Sequence, residues 1–242
     1  MTISIVEDDC LARMATMPGE CIDLVVTDPP YERLDMTDCF AEFLRLLRPS
    51  GSLYVFGDKD VVAEHWFRQL KIRNKTLLIW HYVNSPKPRG RWRGSMQAII
   101  YGYKSASAST FHEDAARVPY QPATMRLHGR LRPSRGRMPE ARPYDASKGA
   151  LPRDVLLYPA LLGHLSSERL GHPDQKPLGL IAKLVAASSN PGDIVLDAFA
   201  GTGTTLVAAQ QLGRSAIGIE NNRYHVRTMR KRLDAAENAR GE

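Results

Sequence analysis

The chain has 242 residues, enough for one large domain or one domain carrying an insertion, and 43% of them are apolar, enough for a full core. A net charge of +7 and a pI near 9.4 favour a polyanionic partner over an acidic one. Three cysteines, Cys10, Cys21 and Cys39, are odd in number and lack zinc spacing. They read as buried thiols of a reducing cytoplasm, bacterial or phage-encoded, and there is no basic-then-apolar leader and no long apolar run to suggest secretion or a membrane span.

Ile3 to Val6 predicts a short strand running into Glu7, Asp8 and Asp9. Cys10 to Met17 predicts a helix with Leu11, Met14 and Ala15 on one side, closed by the Pro18-Gly19 turn. Ile22 to Val26, broken by Asp23, predicts a buried strand that runs into Asp28-Pro29-Pro30-Tyr31. Asp38 is placed to cap a helix through Leu47, with Phe40, Phe43, Leu44 and Leu47 in register, and Pro49-Ser50-Gly51 to end it. Ser52 to Phe56 predicts a strand, Val61 to Leu70 a helix, and Thr76 to Tyr82 and Ala98 to Tyr103 two further strands. Strands alternating with helices argue for a parallel α/β sheet.

From about Ser85 to Arg153 the character changes to Pro, Gly, Arg and Ser. Between Lys87 and Arg153 stand fourteen basic residues and four acids, a difference of +10 that exceeds the charge of the whole chain. Two readings fit: a disordered loop, or a grip on phosphates. The interleaved Trp92, Tyr101, Tyr103, Phe111, Tyr120 and Tyr144 favour the second, because aromatic rings stack on bases. Lys87, Arg89, Arg91, Arg93, Arg126, Arg130, Arg132, Arg135 and Arg137 are the candidate contacts to nucleic acid. Order returns with a helix over Leu178 to Ser188, a buried strand at Ile194 to Leu196, a helix from Leu206 to Leu212, a strand over Arg214 to Ile219, and a basic helix from Tyr224 to Ala236.

Two constellations carry chemistry. Each proline at 29 and 30 fixes its own φ and holds its predecessor extended, so Asp28-Pro29-Pro30-Tyr31 is a stiff corner presenting a carboxylate, carbonyls and a ring. Such a corner suits a planar group bearing an NH₂, whose hydrogens the oxygens accept and whose face the ring covers. The same four residues also make an ordinary strand-to-turn exit. The second constellation is Asp197-Ala198-Phe199-Ala200-Gly201-Thr202-Gly203-Thr204-Thr205 between a strand and a helix, with Glu220 at the end of the next strand. No Gly-Lys-Ser/Thr follows and the third glycine of a dinucleotide loop is missing, so the loop suits a nucleoside with a free ribose and needs no pyrophosphate. S-adenosylmethionine meets that description. A metal cluster has no credible ligand set.

In this order the motifs resemble those of the beta arrangement of amino-methylating DNA methyltransferases: Asp28-Pro29-Pro30-Tyr31, then a recognition region, then Phe199-Ala200-Gly201-Thr202-Gly203. His172-Pro173-Asp174-Gln175-Lys176-Pro177-Leu178 is similar to the family's His-Pro-x-x-Lys-Pro lead-in, Pro191 to Asp197 to its approach to the cofactor loop, and Asp9-Cys10 to its Gly-Asp-Cys turn. One position departs: Met96-Gln97 stand where the family often has His-Glu.

The resemblance implies a Rossmann-like S-adenosylmethionine-dependent methyltransferase fold, a seven-stranded, mostly parallel α/β sheet in circularly permuted order. Residues 1–104 and 171–242 form the catalytic domain and 105–170 an inserted target recognition region. It implies that Asp9 takes the cofactor's adenine amine, Glu220 its ribose, Phe199 its adenosine face, and Asp197 or Lys176 its methionine end. Cys10, Ala200, Thr202, Thr204, Thr205 and Asn221 complete the expected cofactor site, and Asp28 also borders it. The expected activity is N6 methylation of adenine in DNA, on a flipped-out or single-stranded base, by a possible homodimer. N4 methylation of cytosine uses the same physics, although the family tends to carry Ser there in place of Asp28. RNA or a protein amide are further substrates of such a corner, and a non-catalytic nucleic-acid-binding module is a reading of another class.

Overall fold

The computed structural model describes residues 1–82, 90, 92–119, 147, 149–161 and 174–241. Among these, eight strands form one sheet: β1 (Ile3–Glu7), β2 (Ile22–Thr27), β3 (Leu47–Gly57), β4 (Asn74–His81), β5 (Met96–Tyr103), β6 (Val155–Leu157), β7 (Ile194–Asp197) and β8 (Ser215–Glu220). Their spatial order is β1-β8-β7-β2-β3-β5-β4-β6. The first five in that order run parallel, β5 is antiparallel to both β3 and β4, and β6 is parallel to β4. The sheet is therefore mixed and mostly parallel, with eight strands where seven were expected. The extra one is β6, three residues in a stretch too short and too rich in Pro and Arg to show a period.

Among the described residues the helices are α1 (Cys10–Ala15), α2 (Thr37–Leu46), α3, α4 (Glu113–Ala116), α5 (Leu178–Ser188), α6 (Thr204–Gln211) and α7 (Arg223–Gly241). α3 is composite: Lys59–Val61 and Phe67–Gln69 are α-helical, and Val62–Trp66 between them is π-helical. β2 lies between β7 and β3 and is buried on both faces, which explains its nearly unbroken apolar run. Its side chains alternate: Val25 joins a core formed with α1, α2 and α3, whereas Leu24 and Val26 join one formed with α5, α6 and α7. Asp23 interrupts the run without being unsatisfied. It accepts Arg48 Nη1 at 2.6 Å and the Ile194 amide at 2.8 Å.

Some local expectations change. Asp38 does not cap α2. The N-cap is Met36, without a side-chain cap; Asp35 Oδ1 accepts the Thr37 amide and Gln69 Oε1, from α3, the Met36 amide, and Asp38 sits in the first turn. Pro49-Ser50-Gly51 lie inside β3. Ile22 pairs with Leu47 and Leu24 with Ser52, so the turn residues form a bulge in the strand, where proline's missing N–H costs no ladder bond. Cys10 and Cys39 are buried as expected, whereas Cys21 is only half-buried. Gly57 lets α3 close on the sheet, since a Cβ there would stand 2.5 Å from the Trp66 ring. No helix among the described residues is long and apolar enough to cross a membrane.

Within the span expected as an insert, β6 extends the sheet and the segment entering α4 is tied to α5. The His112 amide donates to Ala187 O at 2.7 Å, and the His112 ring meets Asn190 Oδ1 at 3.0 Å. Tyr101 and Tyr103 lie in β5, which runs antiparallel to β3 and carries them toward the sheet end opposite Gly57; Tyr101 stacks on Tyr54 at 4.8 Å and meets Tyr103 and Phe111.

The first and last strands, β1 and β8, are neighbours, as a permuted order requires. From β2 the chain moves toward β3, and from β7 toward β8, so the sheet reverses direction between β7 and β2. In open α/β sheets ligands bind outside the carboxyl ends of the strands at such a point.

Candidate active site

A cavity of about 400 Å³ opens at the carboxyl ends of β1, β8, β7 and β2, a size suited to a small organic ligand. Its walls include Asp8, Asp9 and Cys10 after β1, Glu220 and Asn221 after β8, Asp197 to Thr202 after β7, and Thr27 to Arg33 after β2. Thr204, Thr205, His225, Phe56 and Asp174 to Lys176 also line it.

One end is fixed by main chain. Glu220 Oε2 accepts the Gly201 amide and Oε1 the Asn222 amide, both at 2.8 Å, which aims the carboxylate and leaves a lone pair on each oxygen. Asp9 caps α1, its Oδ1 accepting the Ala12 amide at 3.0 Å, and the Asp8 amide donates to Glu220 O at 3.2 Å. Gly201 and Gly203 have φ of +51 and +80, open to glycine at little cost. Gly203, alone of the expected cofactor residues, does not line the cavity. It makes room for Met229 of α7, into which a Cβ at 203 would run. Arg232 Nη1 donates to Thr204 Oγ1 at 2.8 Å and to Thr202 O, tying α7 to the loop.

Asp197 bridges the two central strands. Its Oδ1 accepts Thr27 Oγ1 at 2.8 Å and the Phe199 amide at 3.2 Å. Burial pushes its carboxyl up to about 6, against the pull of the hydrogen bonds from Thr205, Thr27 and Phe199. A hydrogen bond with Cys39 lowers the Cys10 thiol to about 7, and Arg33, which donates to Cys10 Sγ at 3.8 Å, assists. The Arg33 guanidinium also lies 5.9 Å from the Phe199 ring centre.

The other end is held by side chains. Tyr31 Oη donates to Asp28 Oδ1 at 3.0 Å and accepts from Gln97 Nε2 at 2.9 Å. Lys176 Nζ donates to Asp28 Oδ2, to Tyr31 Oη at 3.1 Å and to Asp174 O at 3.0 Å. Burial raises the Asp28 carboxyl above the usual range, while the Lys176 ammonium and the hydrogen bonds from Lys176 and Tyr31 oppose it. Burial and the Asp28 charge also raise the Tyr31 phenol, which stays protonated.

The structure thus brings Asp28, Pro29, Pro30 and Tyr31 into one cavity with Asp9, Cys10, Lys176, Asp197, Phe199, Ala200, Gly201, Thr202, Thr204, Thr205, Glu220 and Asn221. Lys176 stands against Asp28, where the sequence placed it at a cofactor's methionine end. Lys87, Arg89, Arg91, Arg126, Arg130, Arg132, Arg135 and Arg137 lie outside the described residues, whereas Arg93 is described and exposed. Arg33, Thr27, Phe56 and Gln97 were missed as contributors. The Met96-Gln97 departure was the available signal for Gln97; the others carry no local motif.

The DNA methylase family profile matches residues 22–231. The chain belongs to that family. DNA adenine methyltransferase YhdJ of Escherichia coli (strain K12) is 33% identical over 261 aligned residues, covering 99% of this chain and 85% of the relative. The fold is shared with the M1.HpyAVI–SAM complex, at a TM-score of 0.67 and 23% identity over 96% of this chain and 99% of that one. It is shared too with PvuII DNA methyltransferase (cytosine-N4-specific), at 0.68 and 18% identity over 96% and 87%. The fold therefore hosts enzymes of different base specificity, and it falls to the site to choose between them.

Proposed function

We propose that this DNA methylase transfers a methyl group from S-adenosylmethionine to the exocyclic N6 amine of adenine in DNA. The observation that carries the reading is the Asp28 carboxylate, held at the end of β2 by Tyr31 at the mouth of a cavity whose far end is the Gly201–Glu220 cradle.

The residues present fit the cofactor. Glu220, aimed by two amides, suits two ribose hydroxyls, Asp8 and Asp9 offer acceptors for an adenine amine, and Phe199 supplies a flat apolar wall. S-adenosylmethionine supplies an activated methyl group when bound there. The chain's own residues do the rest. The target's lone pair is spread into the adenine ring, so the amine is a weak nucleophile. Asp28 and a proline-corner carbonyl accept its two N–H bonds, favour a tetrahedral nitrogen, and stabilise the positive charge that grows on it. The stiff Pro29-Pro30 backbone fixes the approach, and positioning supplies much of the rate. Tyr31 keeps Asp28 oriented through its hydroxyl and offers its ring to the base. An adenine inside a duplex cannot reach this corner, so the base is flipped out or already unpaired. Trp92, 97% exposed just before β5, is available to stack on nucleic acid beside the basic stretch. YhdJ, the 33% identical relative, is named for adenine, which supports adenine over cytosine.

Asp28→Ala tests the assignment. Its kcat on DNA falls on the order of 10³-fold, with cofactor affinity kept within a few fold. A purified variant that methylates DNA at near wild-type rate removes Asp28 from the mechanism.

A further inference from the structure

Lys176 uses all three of its ammonium donors inside the corner, on Asp28 Oδ2, Tyr31 Oη and Asp174 O. Its side chain is only 6% exposed. Three rings stand around it, with centres 5.6 Å (Phe56), 5.7 Å (Tyr31) and 6.0 Å (Trp80) from Nζ. Tyr31 occupies the other oxygen of Asp28, so Lys176 sits on the oxygen a target amine needs. A tetrahedral, cationic nitrogen between a carboxylate and aromatic walls is also what the target amine becomes as it is methylated.

Resting on the methyltransferase reading above, we propose that Lys176 is a placeholder for the target amine: in the base-free enzyme its ammonium holds Asp28 and Tyr31 in the accepting arrangement, and it cedes that seat when the base arrives. Lys176 is thus a positioning residue, and the exchange trades its ammonium for a neutral amine that becomes cationic only as it is methylated. The groups facing Asp28 show why the seat needs a tenant. Lys176 and Asp174 come from the segment before α5, Tyr31 from the same corner, and Asp197 from the end of β7. Of these only Lys176 is a cation. Without it, burial and the neighbouring acids raise the Asp28 carboxyl further, and a protonated carboxyl loses accepting strength.

The test uses the full chain without cofactor or DNA. Carboxyl-carbon NMR follows Asp28, its resonance assigned with Asp28→Asn, in wild type, Lys176→Met and Lys176→Arg. The expected result is an Asp28 midpoint about one unit or more higher in Lys176→Met and nearly unmoved in Lys176→Arg. The acid limb of kcat/KM then moves upward with it in Lys176→Met alone. On the upper pH plateau of kcat/KM for each form, and at saturating cofactor, the KM for duplex DNA in Lys176→Met is no higher than in wild type. An unmoved Asp28 midpoint in Lys176→Met, an acid limb that shifts equally in Lys176→Arg, or a raised KM for DNA overturns the placeholder. If Lys176→Met does not fold, Lys176→Gln makes the same comparison. Failure of the catalytic reading looks different: Asp28→Ala is then fully active, while the NMR midpoints still report on the ion pair.

Discussion

The two ends of the cavity are built differently. At the cofactor end the functional groups are fixed by main chain: Glu220 by the amides of Gly201 and Asn222, Asp9 by the amide of Ala12. At the acceptor end they are fixed by one another, through Asp28, Tyr31, Gln97 and Lys176. Backbone amides neither titrate nor leave, so the first end is held by partners that stay in place. Side-chain partners can do both. The acceptor end is therefore sensitive to protonation and able to exchange a partner, which suits a seat that must receive a base, and the first suits a ligand of fixed shape.

The sharpest break of this comparison is Gly201→Val. A β-branched residue at φ +51 is strained, and the shift moves the amide off Glu220, so cofactor affinity by calorimetry falls on the order of 100-fold. Unchanged affinity would mean that the main chain does not build that end. Tyr31→Phe acts on the opposite end. It removes the hydroxyl shared by Asp28, Gln97 and Lys176, and kcat falls roughly tenfold for the loss of about 1–2 kcal/mol, while cofactor affinity stays put. Equal losses in both quantities would erase the distinction between the ends.

Asp197 lies between them and gives a smaller, pH-dependent effect. Its folded carboxyl is raised to about 6 by burial, above its value in the unfolded chain. The native state therefore holds this proton more tightly, and the site's contribution to stability is greatest at low pH and fades as pH rises through about 6. Asp197→Asn removes that loss. Relative to wild type, the variant gains about 1–2 kcal/mol, or roughly 3–6 °C in Tm, between about pH 5 and pH 8. A Tm difference flat across that range would show that Asp197 is not held up by burial. Gln97→Leu is the smallest change. It takes one donor from the Tyr31 hydroxyl and lowers kcat a few fold, with no effect on cofactor affinity.

The same contrast governs what the sequence shows. Gly201, Gly203, Glu220 and the Asp28-Pro29-Pro30-Tyr31 corner are legible because their conformations are dictated by neighbours along the chain, through glycine's tolerance of positive φ and proline's fixed φ. The strands and helices that carry them are legible from their periods. The Lys176–Asp28 pairing joins residues far apart in the chain and follows from how the segment before α5 packs over the end of β2, and the Gln97–Tyr31 bond depends on the antiparallel turn of β5. Pro49-Ser50-Gly51 reads as a stop because proline and glycine mark turns and bulges alike, and only the pairing of β2 with β3 separates the two. Asp38 carries the chemistry of a cap, but the helix starts at Thr37 and the amides of Met36 and Thr37 go to Gln69 and Asp35.

The central claim is that the corner at Asp28 methylates the N6 amine of adenine in DNA. The most direct measurement is mass spectrometry of nucleosides from duplex DNA incubated with the enzyme and methyl-labelled S-adenosylmethionine. The account predicts labelled N6-methyldeoxyadenosine from wild type and a loss on the order of 10³-fold from Asp28→Ala. Label in N4-methyldeoxycytidine alone, or no label in DNA at all, would contradict it.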